Sequence, residues 1–394
     1  MRALTWQGRE DVRVETVPDP RIEDPTDIVV KVTTTGICGS DLHLYSVLGA
    51  YLDPGDVLGH EPMGTVVETG PEVRTLAPGD RVVVPFNISC GSCYMCDRNL
   101  QSQCETTQVR AHGKGAALFG YTKLYGQVPG GQAEYLRVPF GDTLPVKVPE
   151  GPPDERFVYL SDVLPTAWQA VEYAGLAPGG SLTVLGLGPI GQMAARIALH
   201  RGAGLVIGVD LVDARLARAR NAGVHTLDLR QYDGDLGDAV RDLTDGRGTD
   251  AVIDAVGMEA HGSTSASLAQ KMTARLPDAL ARPLMERAGI DRLAALHTGI
   301  DLVRRGGTLS VSGVYGGAVD PMPLLTMFDK QLQIRMGQAN VRAWTDDILP
   351  LLTDEDPLGV EGFATHTVPL DQAPDAYARF QAKDDGMIKT LLVP

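Results

Sequence analysis

Ser181-Leu-Thr-Val-Leu-Gly-Leu-Gly-Pro-Ile-Gly-Gln-Met-Ala-Ala-Arg-Ile-Ala-Leu199 decides the fold. A strand-like run, Ser181–Leu185, leads into Gly186-Leu-Gly188-Pro189-Ile190-Gly191, and an Ala-rich helical pattern follows at once. A G-x-G-x-x-G alone is a weak signal; between a strand and a helix it reads as a turn that cradles phosphates. The first glycine permits the tight turn, the second lets the backbone approach a pyrophosphate, and the third lets helix and strand pack closely. The helix start offers free N–H groups and the positive end of its dipole to the phosphates. Asp210 ends the next strand, 19 residues after Gly191. An acid there suits the adenosine ribose hydroxyls and repels a 2′-phosphate, so NAD is favoured over NADP.

Outward from this stretch, strands and helices alternate. Leu205-Val-Ile-Gly-Val209 precedes the helical Ala214-Arg-Leu-Ala-Arg-Ala-Arg220, and Ala251–Val256 and Gly307–Ser312 read as later strands. The rhythm predicts an α/β doubly wound parallel sheet. Residues 258–298 break it and read as one or two inserted helices, punctuated by Pro277 and Pro283. The first 150 residues are instead β-rich: Asp27–Thr33, Gly64–Thr69 and Arg81–Pro85 are short alternating runs broken by Gly and Pro. The expected organisation is a β-rich domain over 1–160 and 337–394, with a nucleotide-binding domain over 161–336 carrying an insertion at about 258–298.

With 394 residues, two domains are expected. The net charge of −15 argues against nucleic acid or an anionic membrane as partner, since both want a basic face. No apolar run approaches 18 residues, and the start turns polar too soon for a signal peptide, so a cytoplasmic protein is expected.

Five cysteines are an odd number, which suits metal ligands better than disulfides. Cys90, Cys93, Cys96 and Cys104 lie within fifteen residues, at a spacing that lets a short loop wrap a tetrahedral zinc. Four thiolates leave no open position, so this zinc is structural. The fifth, in Cys38-Gly-Ser40-Asp41-Leu-His43, is followed by Gly59-His60-Glu61-Pro-Met-Gly64 and, far downstream, by Ser161-Asp162-Val-Leu-Pro-Thr166. Cysteine, histidine and carboxylate are zinc donors, and three of them would leave a position open for chemistry. Their spacing alone does not join them.

At these residues the sequence resembles the zinc-containing medium-chain alcohol dehydrogenases. Gly59-His60-Glu61, Gly64, Gly70 and Val73 form a long signature, and the Cys38 segment, the four-cysteine lobe and the nucleotide loop follow in the family's order. The resemblance covers nearly the whole chain. It implies a Rossmann domain joined to a β-rich GroES-like catalytic domain with a structural zinc lobe, two Zn²⁺ per chain, and NAD. By position, Cys38 and His60 match catalytic zinc ligands, and Asp162 stands where many members have a second cysteine. That exchange resembles the branch containing glutathione-independent formaldehyde dehydrogenase, which also shares Gly130-Gly-Gln-Ala-Glu-Tyr135. Glu61 matches an acid near the metal that ligates it transiently, and Asp41 matches an acid that orients the ligand histidine.

Ser40 and His43 match a proton relay. Thr166 matches a residue packed on the nicotinamide, Arg215 a base at the ribose, Lys389 a cation reaching the pyrophosphate, and Phe86 an aromatic lining the alcohol pocket. Some members carry a pyrophosphate-binding arginine directly after the first ligand; Gly39 stands there, so that contact is not expected. The implied activity is hydride transfer between NAD(H) and a small alcohol or aldehyde, by a homodimer or homotetramer. The alternatives are a formaldehyde dehydrogenase or aldehyde dismutase with tightly held NAD, a polyol or amino-alcohol dehydrogenase, and a non-catalytic NAD-binding relative.

Overall fold

The structure, a computed structural model, describes residues 1–232, 234–257, 293–315, 322–353 and 355–394. It divides into two compact units, Met1–Pro165 with Ala339–Pro394, and Thr166–Gln338.

The first unit opens with a hairpin, β1 (Arg2–Gly8) and β2 (Asp11–Thr16). Its main sheet contains β3 (Ile28–Ile37), β4 (Pro62–Thr69), β5 (Arg81–Val83), β6 (Tyr135–Val138) and β7 (Val146–Lys147). Alternation along β3 sends Ile28, Val30 and Val32 into a core with Val66, Val82 and Leu136. β3 and β4 run antiparallel with Thr35 opposite Pro62, so the end of β3 and the start of β4 share one end of the sheet.

In the second unit the strands are β8 (Ser181–Leu185), β9 (Leu205–Asp210), β10 (His225–Asp228), β11 (Thr249–Asp254), β12 (Val303–Val311) and β13 (Gln333–Met336). All pair in parallel, in the order β10-β9-β8-β11-β12-β13. The order reverses between β8 and β11. In doubly wound sheets, ligands bind at the carboxyl ends of the strands flanking that reversal. β8 ends there, directly before Gly186. The last strands, β14 (His366–Pro369) and β15 (Thr390–Val393), rejoin the first unit, β15 lying against β3.

The boundaries differ from the sequence reading by a few residues: the second unit ends at Gln338 rather than 336. The first unit extends to Pro165 rather than 160, because the turn Val158–Ser161 packs on β3 and β4 and carries Asp162 with it. Of the predicted insertion, 258–292 lies outside the described residues. Its far end opens the helix Ala294–Leu302, which packs on β8, β11 and β12 as part of the regular alternation.

Candidate functional site

The register of β3 against β4 makes the first cluster. Cys38 follows β3 and His60-Glu61 precede β4; the Gly36 N–H donates to the Glu61 carbonyl at 3.1 Å. Asp162 arrives from the turn Val158–Ser161, held by the Phe86 N–H on the Ser161 carbonyl at 3.1 Å. Each of Cys38, His60, Glu61 and Asp162 thereby offers a donor atom within 4.8 Å of the others. Cys38 Sγ lies 3.4 Å from Asp162 Oδ2, and His60 Nε2 lies 3.5 Å from the same oxygen. Around a tetrahedral zinc, with bonds of about 2.0 Å to N or O and 2.3 Å to S, neighbouring donors sit roughly 3.3–3.5 Å apart. The spacing fits.

The charges fit as well. His60 is 4% and Glu61 1% exposed. Burial, then the nearby Asp162 and Glu61 carboxylates, push the Cys38 thiol up to about 11. Against burial, Asp41 and Asp162 hold the His60 imidazole well above its usual range. Glu61 Oε1 is buried with no hydrogen-bond partner among the described residues. A thiol, an imidazole and two carboxylates gathered in a dry interior are a donor set that could hold a divalent cation.

Cys90, Cys93, Cys96 and Cys104 form the second cluster, again with all donor atoms within 4.8 Å. Cys93 Sγ lies 3.5 Å from Cys96 Sγ and 3.9 Å from Cys104 Sγ, bracketing the ~3.8 Å edge of a zinc–thiolate tetrahedron. Although burial favours the thiol, backbone N–H groups of Cys96 and Glu105 bring Cys93 down to about 6. Asn340 anchors the lobe, accepting from the Ser102 N–H at 3.0 Å.

Ser40 and His43 lie three residues apart on the helix Gly39–Ser46, on neighbouring positions of one face. Ser40 Oγ is 3.8 Å from Cys38 Sγ. Phe86 and Tyr121 set their rings edge-on to His60, at 6.2 and 6.4 Å between centroids.

In the second unit, Gly188 caps the helix Pro189–His200, with Pro189 and Ile190 in its first turn. Gly186 has φ +82°, open to glycine with little strain, and a Cβ on Gly191 would strike the Gly186 carbonyl. Asp210 accepts from the Leu187 N–H at 2.6 Å, which ties it to the glycine loop. Arg215 Nη1 stands 3.7 Å from its carboxylate. Thr166 lies in the helix Val163–Ala174 at the start of this unit.

Lys389, matched above to a cation reaching a pyrophosphate, belongs to the first unit. It is fully buried in the first unit, where Nζ pairs with Glu61 and donates to the Ile37 carbonyl at 3.1 Å. The register of β15 beside β3 places it there. Sequence reading also missed Tyr121, for which no local motif exists.

Comparison with known proteins shows the family. Residues 24–150 match the alcohol dehydrogenase GroES-like domain, and residues 189–274 match the zinc-binding dehydrogenase family. An uncharacterized zinc-type alcohol dehydrogenase-like protein, AdhB of Bacillus subtilis (strain 168), is 39% identical, with both chains covered in full. The chain belongs to the zinc-type alcohol dehydrogenases. Formaldehyde dismutase of Pseudomonas putida is 34% identical, over 96% of this chain and 94% of the relative. The solved alcohol dehydrogenase TADH from Thermus sp. ATN1 superposes with a TM-score of 0.83 at 34% identity, covering 100% of this chain and 99% of that one. As a zinc-type alcohol dehydrogenase, the chain is an oxidoreductase of alcohols or aldehydes that uses zinc and NAD(P). Among the described residues, no helix is long and apolar enough to cross a membrane.

Proposed function

We propose that this is an NAD-dependent dehydrogenase of small alcohols and aldehydes, with a catalytic zinc at Cys38, His60 and Asp162 and a structural zinc at the four-cysteine lobe. The convergence of four buried donor residues within 4.8 Å carries the reading. When bound, zinc supplies the Lewis acidity that makes an alcohol hydroxyl acidic, and NAD supplies the hydride acceptor. Asp41 orients His60. Ser40 takes the proton of the alcohol hydroxyl, and His43, one turn further along the same helix, passes it outward. Phe86 and Tyr121 wall the metal-side pocket, exclude water and favour a short carbon chain. The glycines of 186–191 hold the pyrophosphate, Asp210 and Arg215 the adenosine ribose, and Thr166 packs on the nicotinamide. Asp210 selects against a 2′-phosphate.

A dismutase that retains its NAD is the second reading, favoured by the 34% identity with formaldehyde dismutase. A cytoplasmic homo-oligomer completes the proposal. The five free cysteines support a reducing compartment. Leu325 and Phe328, 81% and 83% exposed on the helix before edge strand β13, support a second copy as partner.

The test is absorbance at 340 nm with NAD and a panel of alcohols and aldehydes, beside Asp162→Ala. NADH growth that this variant abolishes supports the dehydrogenase. Aldehyde loss with alcohol formation and no added NAD supports the dismutase, and silence in both assays overturns the two readings.

A further inference from the structure

Behind His60 a chain of buried polar groups runs through Asp41 to residues not yet given a role. His60 Nδ1 lies 3.1 Å from Asp41 Oδ1, off the line of a good hydrogen bond, and neither atom has another hydrogen-bond partner among the described residues. The other oxygen, Asp41 Oδ2, accepts from the Cys38 N–H at 3.0 Å and from Gln132 Nε2 at 3.3 Å. Gln132 Nε2 also donates to the Gly36 carbonyl at 3.0 Å, and its Oε1 accepts from the Tyr377 hydroxyl at 2.8 Å. Gln132, Tyr377 and Asp41 are all fully buried.

This amide has one workable orientation. Two acceptors, Gly36 O and Asp41 Oδ2, face one end and demand the NH₂; a hydroxyl faces the other. The backbone of Gln132 is fixed on both sides: its N–H donates to the Leu58 carbonyl at 3.0 Å, and its carbonyl accepts from the Leu4 N–H at 2.8 Å. Close packing adds to this. Gly59, which precedes His60, has φ +101°, and a Cβ there would fall 2.4 Å from Gln132 Cγ. Gly130 and Gly131 let their segment lie flat on residues 57–59, with N–H donors to the Val57 and Gly59 carbonyls at 2.9 and 2.8 Å.

We propose that Gln132 and Tyr377 are positioning residues of the catalytic metal site: they engage one oxygen of Asp41, turn the other to His60 Nδ1, and so keep the proton on Nδ1 and the Nε2 lone pair toward Cys38 and Asp162. The inference rests on the reading of that cluster as a zinc site. A ligand histidine is commonly fixed by the partner of its other nitrogen, and loss of that partner costs about 10–100-fold in metal affinity. Here the partner is itself held by residues 91 and 336 positions away in sequence from Asp41.

The experiment measures zinc release from the purified holoenzyme to the coloured chelator 4-(2-pyridylazo)resorcinol. The wild type should release two zincs per chain in two phases, and Asp162→Ala identifies the phase of the catalytic site by removing it. Gln132→Leu should speed that phase at least tenfold and Tyr377→Phe several-fold, with the four-cysteine phase unchanged. Tyr377→Phe deletes one oxygen and keeps the ring that packs on Tyr45, so it carries the test if Gln132→Leu does not fold. Unchanged release in the variants overturns the positioning role. So does equal acceleration of both phases, which marks general destabilisation. A wild type that holds only one zinc overturns the underlying reading of the cluster instead.

Discussion

Replacing Gly191 and Gly188 separately by alanine should divide two jobs that the glycine loop performs together. A Cβ on Gly191 would lie 1.8 Å from the Gly186 carbonyl oxygen and 2.9 Å from its carbon, with Val184 Cγ1 at 3.4 Å. No flexible side chain is there to yield, and the oxygen is more than an ångström inside any tolerable contact. The helix Pro189–His200 must back away from β8. Overpacking of this kind costs about 1–3 kcal/mol. The same retreat draws the N-terminal N–H groups away from the pyrophosphate, and losing a single charge-assisted hydrogen bond, about 1.5–3 kcal/mol, weakens NAD at least tenfold. Gly188 differs. It has φ −68°, and its Cβ would meet only Arg215 Nη1, at 3.9 Å. Gly188→Ala should therefore stay within about 0.5 kcal/mol of wild-type stability. It should still bind NAD poorly, because the new methyl stands where the pyrophosphate must approach. Thermal melts with calorimetric NAD titrations test the pair. Gly191→Ala binding NAD like the wild type, or Gly188→Ala melting as early as Gly191→Ala, refutes the division of roles.

Asp162→Ala should cost the catalytic metal more than the about 10–100-fold that losing the partner of a ligand costs, while the four-cysteine zinc remains, read as metal content after dialysis against a mild chelator. Cys104→Ser should release the structural zinc and unfold the lobe around Ser102 and Asn340, seen as an early melting step and new protease cleavage between 90 and 115. Phe86→Ala should move kcat/KM toward longer alcohols, checked by a chain-length series, since it removes one of the two rings beside His60. Burial opposes the charged form of Asp142, but hydrogen bonds from Thr75 and Arg74 outweigh it and hold this carboxyl below its usual value. Its stabilisation is complete above the unfolded pKa of about 3.9 and is lost as pH falls through the folded one. The melting difference between wild type and Asp142→Asn should accordingly narrow between pH 7 and pH 3.

Features written in consecutive residues were legible in the sequence. The glycine loop, its helix and Asp210 span twenty-five residues, and the four cysteines fifteen. Each is a local solution to binding phosphate or zinc, so spacing alone conveys it. Asp162 was reached only through resemblance, because its approach to Cys38, 124 residues earlier, is made by the β3–β4 register and the turn Val158–Ser161. Gln132 and Tyr377 meet across 245 residues and carry no motif. The β1–β2 hairpin was hidden because its turn uses Glu10 at φ +57°, where sequence signals point to Gly or Asn. β13 was missed because Gln333-Ile-Arg-Met336 is a short edge strand without a buried alternating face.

The buried ion pair of Glu61 and Lys389 bears on how many residues hold the catalytic metal at rest. Its closeness depends on Gly36, where a Cβ would fall 1.7 Å from Glu61 Oε2 and 2.9 Å from Lys389 Nζ. Glu61 keeps Lys389 protonated even though burial pulls the other way. Lys389 holds Glu61 Oε2, so a bidentate grip on the metal would leave that cation without its carboxylate in a dry interior, a cost of several kcal/mol, whereas Oε1 can ligate alone. Cys38 and Asp162 face no such penalty, and their two negative charges balance one divalent ion. Charge balance therefore favours a resting set of Cys38, His60 and Asp162. Glu61 stands beside it, tethered through Oε2 to Lys389 with Oε1 unclaimed among the described residues, and the proposed reading leaves the fourth position for substrate.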